Sequence, residues 1–320
     1  MPTRPRIAVL MDPLETIKPA KDSTIAMLKA ATRRGCEVLA FGQGDLWVRD
    51  GRAAARLTPI EVVGDGKAWY RTGEPAVREL GAGDAILMRK DPTFDMEYIC
   101  STYLLERAEQ AGALVVNRPQ GLRDMNEKAY TAWFPACCAP TLISRDMAAM
   151  ETFLDEHREA VFKPLDGMGG RSIFVVARGD RNVRVVLETL TDYGRRYAIA
   201  QRYLPEIATG GDARILLVDG EPVPHALVRM PASGDHRGNL AAGARAESRA
   251  LTERDRWLAA QIGPVMRERG MLFVGLDVIG GFVTEINVTS PTGIREIEAK
   301  HGHDIGGMLI DAVLARLARR

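Results

Sequence analysis

The 320-residue sequence lacks a long apolar run and a cysteine framework, and its net charge is only +1. No stretch approaches the roughly 18 uninterrupted apolar residues of a membrane-crossing helix. The N-terminus, MPTRPRIAVLMDP, holds only the five-residue run Ile7–Met11, shorter than the core of a signal peptide. The four cysteines (Cys36, Cys100, Cys137 and Cys138) include no C-x-x-C pair, and adjacent Cys137 and Cys138 cannot staple distant segments. All four are expected as reduced thiols of a soluble, cytoplasmic protein. With 43 Lys and Arg against 42 Asp and Glu, no overall field selects nucleic acid or an anionic membrane. Internal repeats and low-complexity tracts are absent as well.

What is present is an ordinary globular composition, 46% apolar and 27% charged, in a chain long enough for two or three domains. Arg6–Asp12 is a short apolar run of the buried-strand kind, and Asp22 or Ser23 caps a helix that Gly35 ends. Strands are predicted at Cys36–Phe41, Ala85–Met88 and Ala113–Val116, with a helix over about Glu97–Gln110. This alternation predicts an open α/β sheet in residues 1–122, with a boundary near Pro119–Gly121. Residues 123–204 read as a helix at Lys128–Phe134, strands at Thr141–Ser144, Ala160–Leu165, Ile173–Ala177 and Tyr197–Leu204, and helices at Ala148–Glu159 and Val183–Tyr193. Residues 205–320 hold strands within Arg214–Met230, a long helix Glu253–Arg269, strands Leu272–Asp277 and Phe282–Val288, and a C-terminal helix Met308–Arg320.

Four segments are chemically suggestive. In FKPLDGMGGRS, Lys163 precedes Gly167, Gly169 and Gly170, so the order is not that of a Walker A loop. A strand-end lysine can nevertheless reach a phosphate while glycine N–H groups approach its oxygens; the plain alternative is a flexible hairpin. In GLDVIGGFVTEIN, Glu285 and Asn287 share a strand face and offer hard oxygens suited to Mg²⁺. Asp277 joins them only if the connecting loop has three residues, Gly280–Phe282. A two-residue Gly280–Gly281 turn would pair it with Thr284 instead. MPASGDHRGNLAAGAR is an aperiodic glycine-rich segment, either an ordinary surface loop or a cover carrying Arg237 toward a transferring phosphoryl group. MRKDPTFD places Arg89 and Asp91 at the carboxyl end of a strand, where open α/β sheets bind ligands and where a solvated turn is the alternative. His301 and His303 form an H-x-H pair with no cysteine or third histidine near in sequence, a weak basis for zinc.

In this order, MDP, ILMRKDPTFD, NEK, KPLDGMGG, QRYLP, GNLAAG, VGLDVIG and TEINVTSPTGIREIE resemble the ATP-grasp superfamily, and within it the prokaryotic glutathione synthetases. The resemblance runs over nearly the whole chain. It implies an N-terminal α/β domain followed by a two-lobed ATP-grasp region, split at about residues 123–204 and 205–320. It also implies an ATP-dependent ligase joining γ-glutamylcysteine to glycine through an acyl phosphate. By position, Lys128, Lys163, Gly167, Gly169, Gly170, Gln201, Tyr203, Leu204, Asp212, Arg214 and Asn239 would border the nucleotide. Asp277, Glu285 and Asn287 would hold Mg²⁺ or Mn²⁺, and Lys163 and Arg237 would act on the phosphoryl group. Arg89, Asp91, Arg229, Ser290, Thr292 and Arg295 would approach the peptide. The resemblance further implies a homo-oligomer, a tetramer. Its rivals are another carboxylate–amine ligase on the same scaffold and a non-catalytic nucleotide-binding protein.

Overall fold

The structure is a computed structural model that describes residues 4–66, 68–167, 170–232 and 245–319. The first sheet is built on β1 (Arg6–Leu10), β2 (Glu37–Phe41), β7 (Asp84–Met88) and β8 (Leu114–Val116), paired in parallel in the order β2-β1-β7-β8. Strand alternation divides its residues between two cores. Ala8, Leu10, Ile86 and Met88 face one side, and Ile7, Val9, Ala85 and Leu87 the other. Helix α1 (Ser23–Arg33) covers the second side, and α2 (Met96–Gln110) covers the first. Asp22 caps α1 by accepting from Thr24 N at 2.7 Å, and Gly35 leaves it at φ +73°, as the sequence predicts.

The same sheet is extended by strands that the sequence reading did not assign, β3 (Leu46–Arg49), β4 (Arg52–Val62), β5 (Tyr70–Thr72) and β6 (Ala76–Glu79). Three of them pair with the long β4 and are polar or half exposed, so they carry no strong apolar period. Pro119 opens the short helix α3 (Pro119–Asp124), where the sequence suggested a boundary.

The second sheet has the antiparallel order β11-β10-β12-β9, from β9 (Thr141–Ser144), β10 (Glu159–Pro164), β11 (Phe174–Ala177) and β12 (Ala198–Arg202). One face carries Ala160, Phe162, Val176, Ala198 and Ala200 onto α4 (Met147–His157) and α5 (Val183–Thr191), forming a core of its own. The opposite face, with Val161, Lys163, Val175 and Gln201, is left for the cleft. Residues 128–134 are not the α-helix expected: Ala129–Trp133 is a 3-10 turn.

The third sheet follows the short α6 (Ile207–Gly210) and has the order β16-β15-β13-β17-β18, with β14 (Glu221–Pro222) beside β13. Its strands are β13 (Asp212–Val218), β15 (His225–Met230), β16 (Arg245–Ala250), β17 (Phe273–Ile279) and β18 (Phe282–Asn287). Helix α7 (Glu253–Glu268) packs Leu258, Ile262 and Met266 beneath it, while α8 (Ile294–His301) and α9 (Ile305–Leu317) tie it to α1. Each of the two larger cores contains residues of both the first and the third sheet.

Candidate active site

A cavity of about 340 Å³ opens where the cleft face of the second sheet meets the third sheet. Along one end of the third sheet, alternation turns a single row of polar side chains inward. Arg229 comes from β15, Asp212 and Arg214 from β13, Asp277 from β17, and Glu285 and Asn287 from β18. Farther along β13 the same face carries the buried Leu216 and Val218.

The β17–β18 hairpin reaches its geometry by a route the sequence reading did not weigh. Its loop is the two-residue turn Gly280–Gly281, with φ +56° and +77°, and Ile279 pairs with Phe282. A regular ladder would then set Asp277 against Thr284. A β-bulge between Asp277 and Val278 shifts the register, so Asp277 faces Glu285 after all. The three-residue loop expected for a metal face is therefore absent, but the pairing it was needed for is present. The bulge also turns the Thr284 carbonyl toward Lys163, whose Nζ lies 3.4 Å away.

Two lysines from different parts of the chain converge on this hairpin. Lys128 is 2% exposed and Lys163 4%. Their Nζ atoms lie 3.6 Å and 3.8 Å from Glu285 Oε1. Lys128 also donates to the Gly167 carbonyl at 2.6 Å and pairs with Glu127. Burial works against the Lys128 ammonium, but Glu285 and Glu127 outweigh it and raise its pKa. For Lys163 burial wins and, with the like charge of Lys128, lowers the pKa against the pull of Glu285. Glu127 is raised by burial and by Glu285. Glu127 has no expected role in NEK; an acid beside Lys128, the lysine expected at the nucleotide, was the available signal.

Asp277 is held well below the usual carboxylate range: burial opposes ionisation, but Arg214 and Arg229 overcome it. Arg214 Nη2 donates to Asp277 Oδ2 at 2.9 Å, and Arg229 Nη2 lies 3.0 Å from the same oxygen. Asn287 Nδ2 donates to Asp277 Oδ2 at 3.3 Å, which directs the amide oxygen of Asn287 elsewhere. Asp212 pairs with Arg229, yet burial and the charge of Asp277 push it up to about 6. Its Oδ1 is buried with no hydrogen-bond partner among the described residues, as is Arg229 Nε. Lys128, Lys163, Arg214 and Arg229 thus balance Glu127, Asp212, Asp277 and Glu285 in formal charge.

Gly167, Gly170, Gln201, Tyr203 and Leu204 line the same cavity, as do Asp91, Ser290 and Thr292. Ser290 Oγ donates to Asp91 Oδ1 at 2.6 Å. Two expected substrate residues are not on the wall. Arg89 is buried behind it, donating to Thr24 Oγ1 and to the Pro291 carbonyl, each at 3.2 Å. Arg295 pairs with Asp65 at 2.7 Å, away from the cavity. Gly169, Arg237 and Asn239 lie outside the described residues. His225 joins His301 and His303 in space, supplying the third histidine the sequence did not reveal. Among the described residues, however, no three His, Cys, Asp or Glu side chains form a group able to hold a metal ion.

Comparison with known proteins finds likenesses along nearly the whole chain. Residues 6–123 match the family described as prokaryotic glutathione synthetase, N-terminal domain, and residues 127–302 match its ATP-grasp domain. A glutathione synthetase of Pseudomonas putida is 55% identical over 315 residues, covering 98% of this chain and 99% of the relative. One from Escherichia coli O6:H1 is 52% identical over 316 residues, with 98% and 99% covered. Among solved structures, the D-cycloserine synthetase DcsG superposes with a TM-score of 0.69 at 18% identity, covering 98% of this chain and 99% of that one. The ATP-grasp ligase PsnB bound to its precursor peptide and AMPPNP gives 0.64 at 18%, with 99% of each chain covered. At such identities these two speak for the fold alone.

Proposed function

This chain belongs to the prokaryotic glutathione synthetase family, and from that premise we infer how its cleft carries out the ATP-dependent ligation of γ-glutamylcysteine with glycine. One observation supports the reading most: Lys128 and Lys163, both buried and from different segments, meet Glu285 in one cavity. Buried ammonium groups beside carboxylates and an open cleft suit a bound polyphosphate.

The reaction has to activate a poor electrophile. The cysteinyl carboxylate oxygen attacks the γ-phosphorus of ATP, forming a P–O bond as the bond to the bridging oxygen breaks and ADP departs. The glycine amine then attacks the acyl carbon; the C–N bond forms, phosphate leaves with the C–O electron pair, and the amine gives up a proton. Among the described residues no side chain in the cleft stands out as the base for that proton. Lys163 and Lys128 offset charge on the phosphate oxygens, and Lys163, fixed between Glu285 and the Thr284 carbonyl, is the catalytic cation. Arg237 is proposed as a second cation and Asn239 as a nucleotide contact, on the resemblance alone. The slot at Gln201, Tyr203 and Leu204 takes the base, with Asp212 and Arg214 toward the ribose and phosphates and Gly167 and Gly170 above them. Asp91, Arg229, Ser290 and Thr292 border the peptide. Arg89 supports this wall indirectly, through the Pro291 carbonyl.

The donor set fits a hard divalent cation. Asp277, Glu285 and Asn287 share one face, and Asp212 Oδ1 nearby has no hydrogen-bond partner among the described residues. Mg²⁺, or Mn²⁺ in its place, would be held by Glu285 and Asn287, with Asp277 shared between metal and arginines; when bound it would screen the phosphate charge. A cytoplasmic homotetramer is proposed with this activity. The test of the activity is ADP release by the purified chain. Release that requires γ-glutamylcysteine and glycine together supports the reading, and turnover that ignores glycine but uses D-alanine defeats it.

A further inference from the structure

Gln201 is 5% exposed and lines the cavity among apolar side chains, including Val161, Val175, Leu204 and Val283. A slot with apolar faces and a single amide at its edge suits a flat heterocycle read along one side. What that amide can recognise depends on which of its ends faces the slot, and the neighbouring hydroxyl decides this. Thr141 stands directly opposite Gln201 in the β9–β12 ladder. Its Oγ1 lies 2.8 Å from the Ala139 carbonyl, which can only accept. The single hydroxyl proton is therefore spent there, and Thr141 turns a lone pair toward Gln201. Only the NH₂ end of the amide can answer it, and Nε2 does so at 3.2 Å. Oε1 is left over, with no hydrogen-bond partner among the described residues.

We propose that Thr141 is a positioning residue for nucleotide choice: its hydroxyl fixes the Gln201 amide with the oxygen toward the base, so the site selects adenine over guanine. The 6-amino group of adenine donates to that oxygen. The 6-oxo group of guanine would meet it acceptor to acceptor. Accepting guanine requires the amide to turn over, which sets Oε1 against Thr141 Oγ1. That pairing holds only if the hydroxyl abandons the Ala139 carbonyl, so a buried acceptor goes without a donor in either arrangement. The inference rests on the placement of the base at Gln201–Leu204 proposed above.

The experiment measures kcat/KM for ATP and for GTP with the full chain and its variants Thr141→Val, Thr141→Ser and Gln201→Met. The wild-type chain should prefer ATP by about a hundredfold or more. Thr141→Val, nearly isosteric but without a lone pair, should lower that ratio roughly tenfold, mostly through KM, and Thr141→Ser should restore it. Gln201→Met should also lose discrimination, which keeps the test open if Thr141→Val folds poorly. A ratio unchanged in a folded Thr141→Val chain, or in Gln201→Met, overturns the proposal. A separate variant, Val175→Trp, fills the slot and should raise KM for ATP. If it does not, the base lies elsewhere and the placement falls together with the inference. If it does while Thr141→Val leaves the ratio intact, only the inference falls.

Discussion

At the scale of single residues, Glu285 is the group on which the cleft turns, because two buried ammoniums face it. Replacing it by glutamine keeps the shape and removes the charge. The expected result is a fall in kcat of about a hundredfold or more, with the chain still folded by circular dichroism. Unchanged kinetics would remove Glu285 from the reaction. Chelation by EDTA should likewise abolish ADP release and added Mg²⁺ should restore it; full turnover in EDTA would refute the metal. The sequence made much of this site legible because its chemistry is local: acids and an amide at alternate strand positions, and a lysine at a strand end before glycines. At Arg89 and Arg295 the positions have the expected charge near strand ends. Their guanidiniums are instead committed to the Pro291 carbonyl and to Asp65. Those partners come from distant parts of the chain and leave no mark in the window around each arginine.

Among elements, the β17–β18 hairpin shows what pattern reading reaches and where it stops. Parity along a strand tells which residues share a face only while the ladder is regular, and nothing in VTEIN announces that one residue will be looped out. The edge strands around β4 escaped for a related reason, being short and half solvated. The packing of α9 on α1 depends on Gly306, where a Cβ would stand 2.7 Å from the Ala26 carbonyl oxygen. Gly306→Ala should therefore push the helices apart and cost about 1–3 kcal/mol in urea unfolding; a loss near zero would show that the contact relaxes freely.

Three histidines from β15, the end of α8 and the turn after it also meet at this level. The His225 and His301 rings stack at 3.7 Å, and His225 Nδ1 lies 2.8 Å from His303 Nε2. Partial burial and the charges of His225, His303 and Lys300 lower the pKa of His301 from 6.5. The unfolded chain thus binds that proton more readily than the folded one. Stability is full above about pH 6.5 and declines as the pH falls through that value toward the lower folded pKa. Melting temperatures between pH 8 and 5 should fall less steeply for His225→Asn than for the wild-type chain, and parallel curves would dismiss the cluster as a source of acid sensitivity.

For the whole molecule, the first and third sheets are joined by a single amide as well as by shared cores. Asn117 is buried; its Nδ2 donates to the Phe273 and Val288 carbonyls at 2.7 Å and 2.6 Å, and its Oδ1 accepts from Phe273 N at 3.0 Å. Asn117→Ala strands all three backbone groups and should cost about 3 kcal/mol, read as a lower urea midpoint; a cost under about 0.5 kcal/mol would mean that water replaces the amide. No local pattern predicts such a joint, since its partners lie 156 and 171 residues away. The second sheet, by contrast, keeps most of its buried apolar residues in a cluster of its own, attached by the chain near Pro140 and again near Leu204. That difference sets a lever. If the smaller lobe rocks as a jaw about those two strands of chain, that cluster travels with it intact. The seat proposed for the base, beside the pivot, would scarcely travel, while the tip carrying Gly167 would sweep the widest arc, so spent nucleotide would loosen from its phosphate end first.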